Sequence, residues 1–387
     1  MASKSTFPDD IMIEILLKLP VKSILQCNTL SKHYYSLIHS QHFVRRHLGL
    51  GRVSAKPYNQ SIVSPILGSL RLFDRRGHFN VLEGIPITIQ ESLLNVDKHM
   101  LCGPVNGLYC VIDTKNDRFA VWNPTTRQIF NLPSVSQLCT NFMNEWDTKI
   151  AFEVDYYCHE CLAYGFGYDD TSNDYKLILI YRFLACTDDN LVAPYVMFYT
   201  MNIGKGEWKT LERKVYFDGW NEIKSSVGVI TCGAWHWVYE CSDDSCYKIL
   251  AFDILIESKK IIPFPMVGDG YKWSDMSIFS FNGRLGLVHG QRGDNMKELS
   301  SSFDVWVMDE YGVTESWTIL FQVSVADVLG GRFLGIVRDR FYISEGEGWL
   351  VSYDIVSKDE ERYGVLDGEV RSLLPYEESL VRIVKSD

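Results

Sequence analysis

The sequence predicts a small all-α unit at the N-terminus followed by an all-β domain, a β-propeller of about six blades. Three observations predict it. Residues 7–48 are dense in apolar side chains and punctuated by Pro and Ser where helices begin. From about residue 55 the pattern changes to short β-type runs separated by Gly, Asn, Asp and Pro. There an aromatic-centred strand, a polar turn and a second strand recur around Phe73, Trp122, Tyr199, Phe252, Trp306 and Tyr353, at separations of 49, 77, 53, 54 and 47 residues. A chain of 387 residues, 46% hydrophobic and 22% charged, reads as globular and too long for one core. The expected division is 1–50 and 51–387.

The helices come first. Pro8 suits a first helical position because its missing N–H would be unpaired there, and Asp9 and Asp10 favour the positive end of the helix dipole. Ile11, Met12, Ile13, Ile15, Leu16, Leu17 and Leu19 make this helix apolar nearly all round, so it must be covered on more than one side. Pro20 stops it and opens a second helix over 21–30. Ser31 is the expected N-cap of a third helix over 32–39, and Ser40 of a fourth over 41–48. Four short helices cannot bury Ile11, Met12, Ile15, Leu16, Leu19, Val21, Ile24, Leu25, Leu37 and Ile38 among themselves. The unit therefore caps the next domain or docks on another protein.

The strands follow. Phe119–Trp122, 176–181, 195–199, 247–252 and 303–308 carry β-branched and aromatic residues, and no long amphipathic helix is expected between them. Repeats near 50 residues have the length of kelch-like blades, and the 77-residue gap leaves room for an insertion or a further blade. A blade cannot cover its own faces, so several stack around an axis, and the aromatic landmarks are expected in the packing between them. Gly165-Phe166-Gly167 and Gly346-Glu347-Gly348 are expected as turns.

The first unit resembles an F-box. The residues that carry this are Phe7-Pro8-Asp9-Asp10, Glu14-Ile15-Leu16, Leu19-Pro20-Val21-Lys22-Ser23-Ile24, Leu30-Ser31-Lys32, Leu37-Ile38, Phe43 and His47-Leu48. Phe7 replaces the usual Leu, Tyr34 stands where many F-boxes have Trp, and Gln26-Cys27 departs from the commoner pair. The resemblance implies docking on a Skp-type adaptor, and through it on cullin and RING subunits. It carries over an adaptor-binding set of Pro8, Ile11, Ile15, Leu16, Leu19, Pro20, Val21, Ile24, Leu25, Leu30, Ser31, Tyr34, Leu37 and Ile38.

The remainder resembles F-box-associated domains. Leu101–Leu108 ends in Asn106-Gly107-Leu108. Trp122-Asn123-Pro124-Thr125-Thr126-Arg127 with Leu132-Pro133, Tyr164-Gly165-Phe166-Gly167-Tyr168-Asp169 with Asn173-Asp174-Tyr175-Lys176, Gly233-Ala234-Trp235-His236-Trp237, and Trp306 through Tyr311-Gly312-Val313 to Glu315-Ser316-Trp317 follow in family order. Residues 31–40 and 305–317 resemble more closely the S-locus F-box and S-locus-like proteins of flowering plants. That finer resemblance implies a target: secreted style ribonucleases, recognised as non-self in pollen self-incompatibility and marked for degradation.

Charge bounds the partners. The chain carries 38 Lys+Arg against 49 Asp+Glu, a net of -11, which excludes non-specific nucleic-acid binding as its main role. Residues 1–50 hold 6 basic and 3 acidic groups, leaving 32 and 46 in the rest. An acidic body would steer a basic target, for which Asp155, Glu160, Asp169, Asp170, Asp188, Asp189, Asp218, Glu222, Asp243 and Asp244 are the candidate contacts. No apolar run is long enough to span a membrane, the N-terminus does not read as a signal peptide, and the 10 irregularly spaced cysteines suit a cytoplasmic or nuclear protein. Cys158/Cys161 and Cys241/Cys246 offer four thiolates, but some 80 residues separate the pairs, so no metal is expected, nor any cofactor. No catalytic motif is present, and the resemblance to F-box proteins implies a non-enzymatic substrate receptor of a ubiquitin ligase. The alternatives are a receptor for another plant regulatory protein, or a propeller that binds a small molecule or glycan.

Overall fold

The computed structural model describes residues 8–53, 60–65, 71–74, 79–81, 99–113, 116–147, 156–187, 190–215, 220–223, 227–241, 247–265, 276–292, 300–326, 331–337, 339–345, 349–364 and 370–382. Four helices come first: α1 (Asp9–Leu16), α2 (Val21–Cys27), α3 (Lys32–Ile38) and α4 (Gln41–Val53). Pro8 and Pro20 sit at the N-caps of α1 and α2, one position earlier than expected for Pro8. Ser31 and Ser40 cap as expected, each hydroxyl accepting the amide three residues on, from Tyr34 and Phe43, at 3.2 Å. The fourth helix runs past the expected boundary at residue 50.

Six sheets follow. Blade 1 holds β1 (Gln60–Pro65), β2 (Arg71–Asp74) and β3 (Phe79–Val81). Blade 2 holds β4 (His99–Val105), β5 (Leu108–Asp113), β6 (Arg118–Asn123) and β7 (Gln128–Leu132). After α5 (Ser136–Asp147), blade 3 holds β8 (Tyr156–Asp169), β9 (Asp174–Thr187), β10 (Asn190–Asn202) and β11 (Glu207–Val215). Blade 4 holds β12 (Trp220–Ile223), β13 (Val229–Thr231), β14 (Ala234–Cys241), β15 (Tyr247–Asp253) and β16 (Lys259–Pro263). Blade 5 holds β17 (Met276–Phe281), β18 (Arg284–Arg292), β19 (Ser300–Met308) and β20 (Trp317–Ala326). Blade 6 holds β21 (Arg332–Val337), β22 (Arg340–Glu345), β23 (Trp349–Asp354) and β24 (Glu360–Gly364). A last strand, β25 (Val370–Pro375), returns to blade 1 and pairs antiparallel with β1, Ser61 opposite Pro375.

The ring closes. The innermost strands touch in sequence, β25 to β4, β4 to β8, β8 to β13 and β14, these to β17, β17 to β21, and β21 back to β25. The propeller expectation therefore stands. Each aromatic landmark lies on the third strand of its own blade, counting outward: Phe73, Trp122, Tyr199, Phe252, Trp306 and Tyr353 fall on β2, β6, β10, β15, β19 and β23. The periodicity is therefore a repeat of one strand position, the third in each blade.

Two expectations need correction. A helix does interrupt the strands: α5 buries Cys139 and Phe142 against blades 2 and 3, with Leu138 and Met143 beside them. Together with the 14-residue strands β8 and β9, it fills the 77-residue gap without a further blade. The glycines Gly165 and Gly167 are not a turn but alternate positions of β8, on one face of the strand. The ring of Trp235 lies there, and a Cβ on Gly165 would come within 2.5 Å of it. Gly346 and Gly348 lie outside the described residues.

The other signature residues also join blades. The Trp208 indole donates to Pro133 O at 2.8 Å, and Trp317 does the same to Pro263 O at 3.2 Å, each tying one blade's outer edge to the blade before. Between blades 4 and 5, buried His236 places Nδ1 3.2 Å from Val229 O and Nε2 2.7 Å from the Tyr311 hydroxyl. A carbonyl can only accept, so Nδ1 carries the proton and neutral Nε2 accepts from Tyr311. Burial lowers the His236 pKa to about 4. The unfolded chain therefore binds a proton that the folded one refuses between pH 6.5 and 4, so stability is full above that window and falls as pH drops through it. Melting temperature measured across these pH values should fall less steeply in His236→Asn than in the wild type.

Candidate functional site: a docking face and its junction with the propeller

The expected adaptor-binding set divides by burial. Leu16, Val21, Ile24 and Ile38 are buried and form the interior of the helical module with Ile13, Leu17 and Phe43. Leu19, Leu25, Tyr34 and Leu37 are half-buried around them, and Ser31 is committed as an N-cap. Pro8, Ile11, Ile15, Pro20 and Leu30 are exposed, with Ile11 at 47%, Ile15 at 53% and Leu30 at 65%. Ile11 and Ile15 are one helical turn apart and share a face of α1. Polar pairs fix this helix from its other sides: Arg46 Nη2 donates to Glu14 Oε1 at 2.5 Å, and His33 Nε2 meets Asp9 Oδ1 at 2.9 Å. The Arg46 guanidinium holds the Glu14 carboxyl below its usual range. Isolated large aliphatics left bare on a well-tethered helix are what a protein-docking surface needs.

The module is seated on one end of blades 2 and 3. Val44 and Leu48 of α4 pack against the core shared by blades 2 and 3, as do Val105 and Tyr168 at the ends of β4 and β8. The Arg45 guanidinium donates to Asn173 Oδ1 at 2.6 Å, and the Tyr168 hydroxyl reaches the same oxygen at 2.7 Å. Between them lies a cleft of about 640 Å³ bordered by His39, Arg45 and Arg382 on one side and Asp170, Asp174 and Tyr175 on the other. One core residue comes from far along the chain: Leu380, 3% exposed, completes the module's interior. The interior of the helical module thus draws on residue 380 as well as on the four N-terminal helices.

The three acidic candidates whose side chains are described, Glu160, Asp169 and Asp170, do not form one group. Asp155, Asp188, Asp189, Asp218, Asp243 and Asp244 lie outside the described residues, as does the Glu222 side chain, whose backbone is in β12. Asp169 is corrected from a surface contact to a structural group. It is 4% exposed, receives the Thr171 and Ser172 amides, and pairs with Lys176 Nζ at 2.9 Å. Burial pushes its pKa up, but the Lys176 ammonium, Ser172 and these amides outweigh that and bring it to about 2. Asp170 is exposed, yet it borders the cleft beside the helical module. Glu160 is the described candidate toward the opposite end of β8, nine positions or roughly 30 Å from Asp169 along the strand, and it is paired with Arg182. Burial raises the Cys161 thiol, and Cys241 is buried in the core between blades 3 and 4. The side chains of Cys158 and Cys246 are outside the described set.

Residues 5–46 match the F-box domain, and residues 75–323, well over half of the chain, match the F-box associated beta propeller domain. The chain belongs to the F-box-associated β-propeller family. Among its relatives is the F-box protein CPR1 of Arabidopsis thaliana, 29% identical over 82% of this chain and 73% of that protein. The F-box/WD-40 repeat-containing protein 1 of the same plant is 26% identical over 84% of this chain and 70% of its own length. An Arabidopsis F-box/kelch-repeat protein is also 26% identical, covering 84% of this chain and 81% of itself. The signatures read from the sequence thus mark family membership, and the geometry gives them work. Asn106 and Tyr168 face the helical module, Gly165 and Gly167 admit Trp235, and His236 binds Tyr311.

Proposed function

We propose that this protein is the substrate receptor of a Skp–cullin–F-box ubiquitin ligase of the S-locus type, whose targets are basic secreted ribonucleases of the style. The observation that carries the receptor reading is the bare Ile11/Ile15 face on a helical module held against one end of a propeller. An adaptor seated on that face brings cullin and RING subunits, and a target held by the propeller is presented to the ubiquitin-carrying enzyme. The gain is local concentration, so no reactive side chain is needed in this chain. The ribonuclease part rests on the resemblance of residues 31–40 and 305–317 and on charge. With 46 acidic against 32 basic groups after residue 50, the body attracts a basic partner over long range. Such a role belongs in the cytoplasm, or the nucleus.

Two experiments separate the parts. Capture of the intact chain by an immobilised Skp-type adaptor tests the receptor reading. Association with a panel of style ribonucleases, followed by stopped flow as salt rises from 50 to 500 mM (about a threefold drop in Debye length), tests the target. A steep slowing is expected, and a flat response removes electrostatic steering. Adaptor capture without binding of any ribonuclease assigns the receptor to a different plant protein.

A further inference from the structure

The Trp-Asn-Pro signature has a task that family membership does not explain. Among the described residues, four turns of the propeller share one construction. Asn123, Asp169, Asp253 and Asp354 each accept the backbone amides two and three residues on, at 2.8–3.2 Å. The fourth residue on is left-handed in every case, Arg127, Asn173, Glu257 and Lys358. A carboxylate serves three of these turns, and an amide only the one in blade 2. An amide differs by donating. Asn123 Nδ2 donates to two backbone carbonyls of the segment after β25, Ser379 O at 3.1 Å and Val381 O at 2.9 Å.

The same segment is gripped along its whole length. The Tyr109 hydroxyl donates to Pro375 O at 2.5 Å and accepts from Glu377 N at 3.3 Å, and Ser379 N donates to Thr125 Oγ1 at 3.1 Å. Gly107, at φ +75°, lets it pass, since a Cβ there would lie 2.3 Å from that of Ser379. Beyond Ser379 the side chains alternate between the two domains. Leu380 enters the helical module, Val381 enters the core of blades 2 and 3, and Arg382 donates to the Tyr35 hydroxyl at 2.8 Å.

We propose that Asn123 is a positioning residue. It holds residues 375–382 as a strap that fixes the direction of the adaptor-docking helices relative to the propeller. An asparagine stands at this turn because it must accept from its own loop and donate to the strap at once. What the strap is for, aiming a bound target at the ligase, rests on the receptor reading above; its existence does not.

The test uses the full chain and reads hydrogen exchange by mass spectrometry, melting temperature and adaptor capture together. Asn123→Asp keeps the turn, as the three aspartates show, but sets a carboxylate against two carbonyl oxygens. Exchange over 375–382 and 41–53 is expected to speed up by about tenfold or more, with adaptor capture and the propeller's melting unchanged. Asp354→Asn, the reciprocal change in blade 6, is expected to move none of these. Unchanged exchange in Asn123→Asp overturns the proposal. Should that variant not fold, Thr125→Val removes the hydroxyl that accepts from Ser379 N without emptying the helical module's core, and the same acceleration or its absence decides. A wild-type chain that no adaptor captures would sink the receptor reading, while the exchange comparison still judges the strap.

Discussion

Ile15→Asp is expected to weaken binding of a Skp-type adaptor by at least about 2 kcal/mol, roughly thirtyfold, while leaving the melting temperature unchanged. The side chain is 53% exposed in the intact chain, so its replacement by a charge disturbs nothing within the fold. In the complex the carboxylate would lose its water without gaining a partner. Ile11→Asp, on the same face of α1, is expected to act alike. Leu16→Asp would also abolish binding, but for a different reason: Leu16 is 4% exposed, and a charge there unfolds the module. Val356→Asp, at an exposed turn of blade 6, serves as the control for adding charge, and its adaptor affinity should match the wild type. Calorimetric titration measures all four. Wild-type affinity in both Ile11→Asp and Ile15→Asp would place the docking surface elsewhere.

The second large effect concerns stability. Trp235 is 1% exposed, and its ring fills the notch over Gly165 and Gly167 between blades 3 and 4. Trp235→Ala is expected to cost about 3–5 kcal/mol by emptying that notch. Gly165→Val is expected to cost about 1–3 kcal/mol for the opposite reason, because its Cβ and methyls overlap the indole. The two changes share one space, so the double variant should be more stable than the sum of the single losses allows. Thermal and urea unfolding measure the cycle. Strict additivity would mean that the ring and the glycines do not pack as described.

How much of this was legible in the sequence depended on range. The aromatic landmarks revealed the blades because each one packs into the core between neighbouring blades, and that packing recurs with every blade. Ser31 and Ser40 were legible because capping is local. The helix α5 was missed although Leu138, Cys139, Phe142 and Met143 recur at helical spacing, a signal weak in apolar mass and surrounded by strands. Gly165 and Gly167 were misread because a glycine required by a distant indole looks the same as one required by a turn. The nearly all-round apolar pattern of α1 could not show that Ile11 and Ile15 are bare while Met12, Ile13 and Leu16 are covered, since exposure there depends on α3, α4 and Leu380. The junction was invisible for the same reason. Asn123 meets Ser379 across more than half of the chain, and only the closed ring brings β25 beside β1 and the strap beneath blade 2.

The most direct test of the receptor account is calorimetric titration of the intact wild-type chain with a Skp-type adaptor. The account predicts a saturable one-to-one complex whose heat vanishes in the Ile11→Asp, Ile15→Asp double variant of unchanged melting temperature. No binding by the folded wild-type chain at micromolar concentration, or binding undiminished in the double variant, would contradict it.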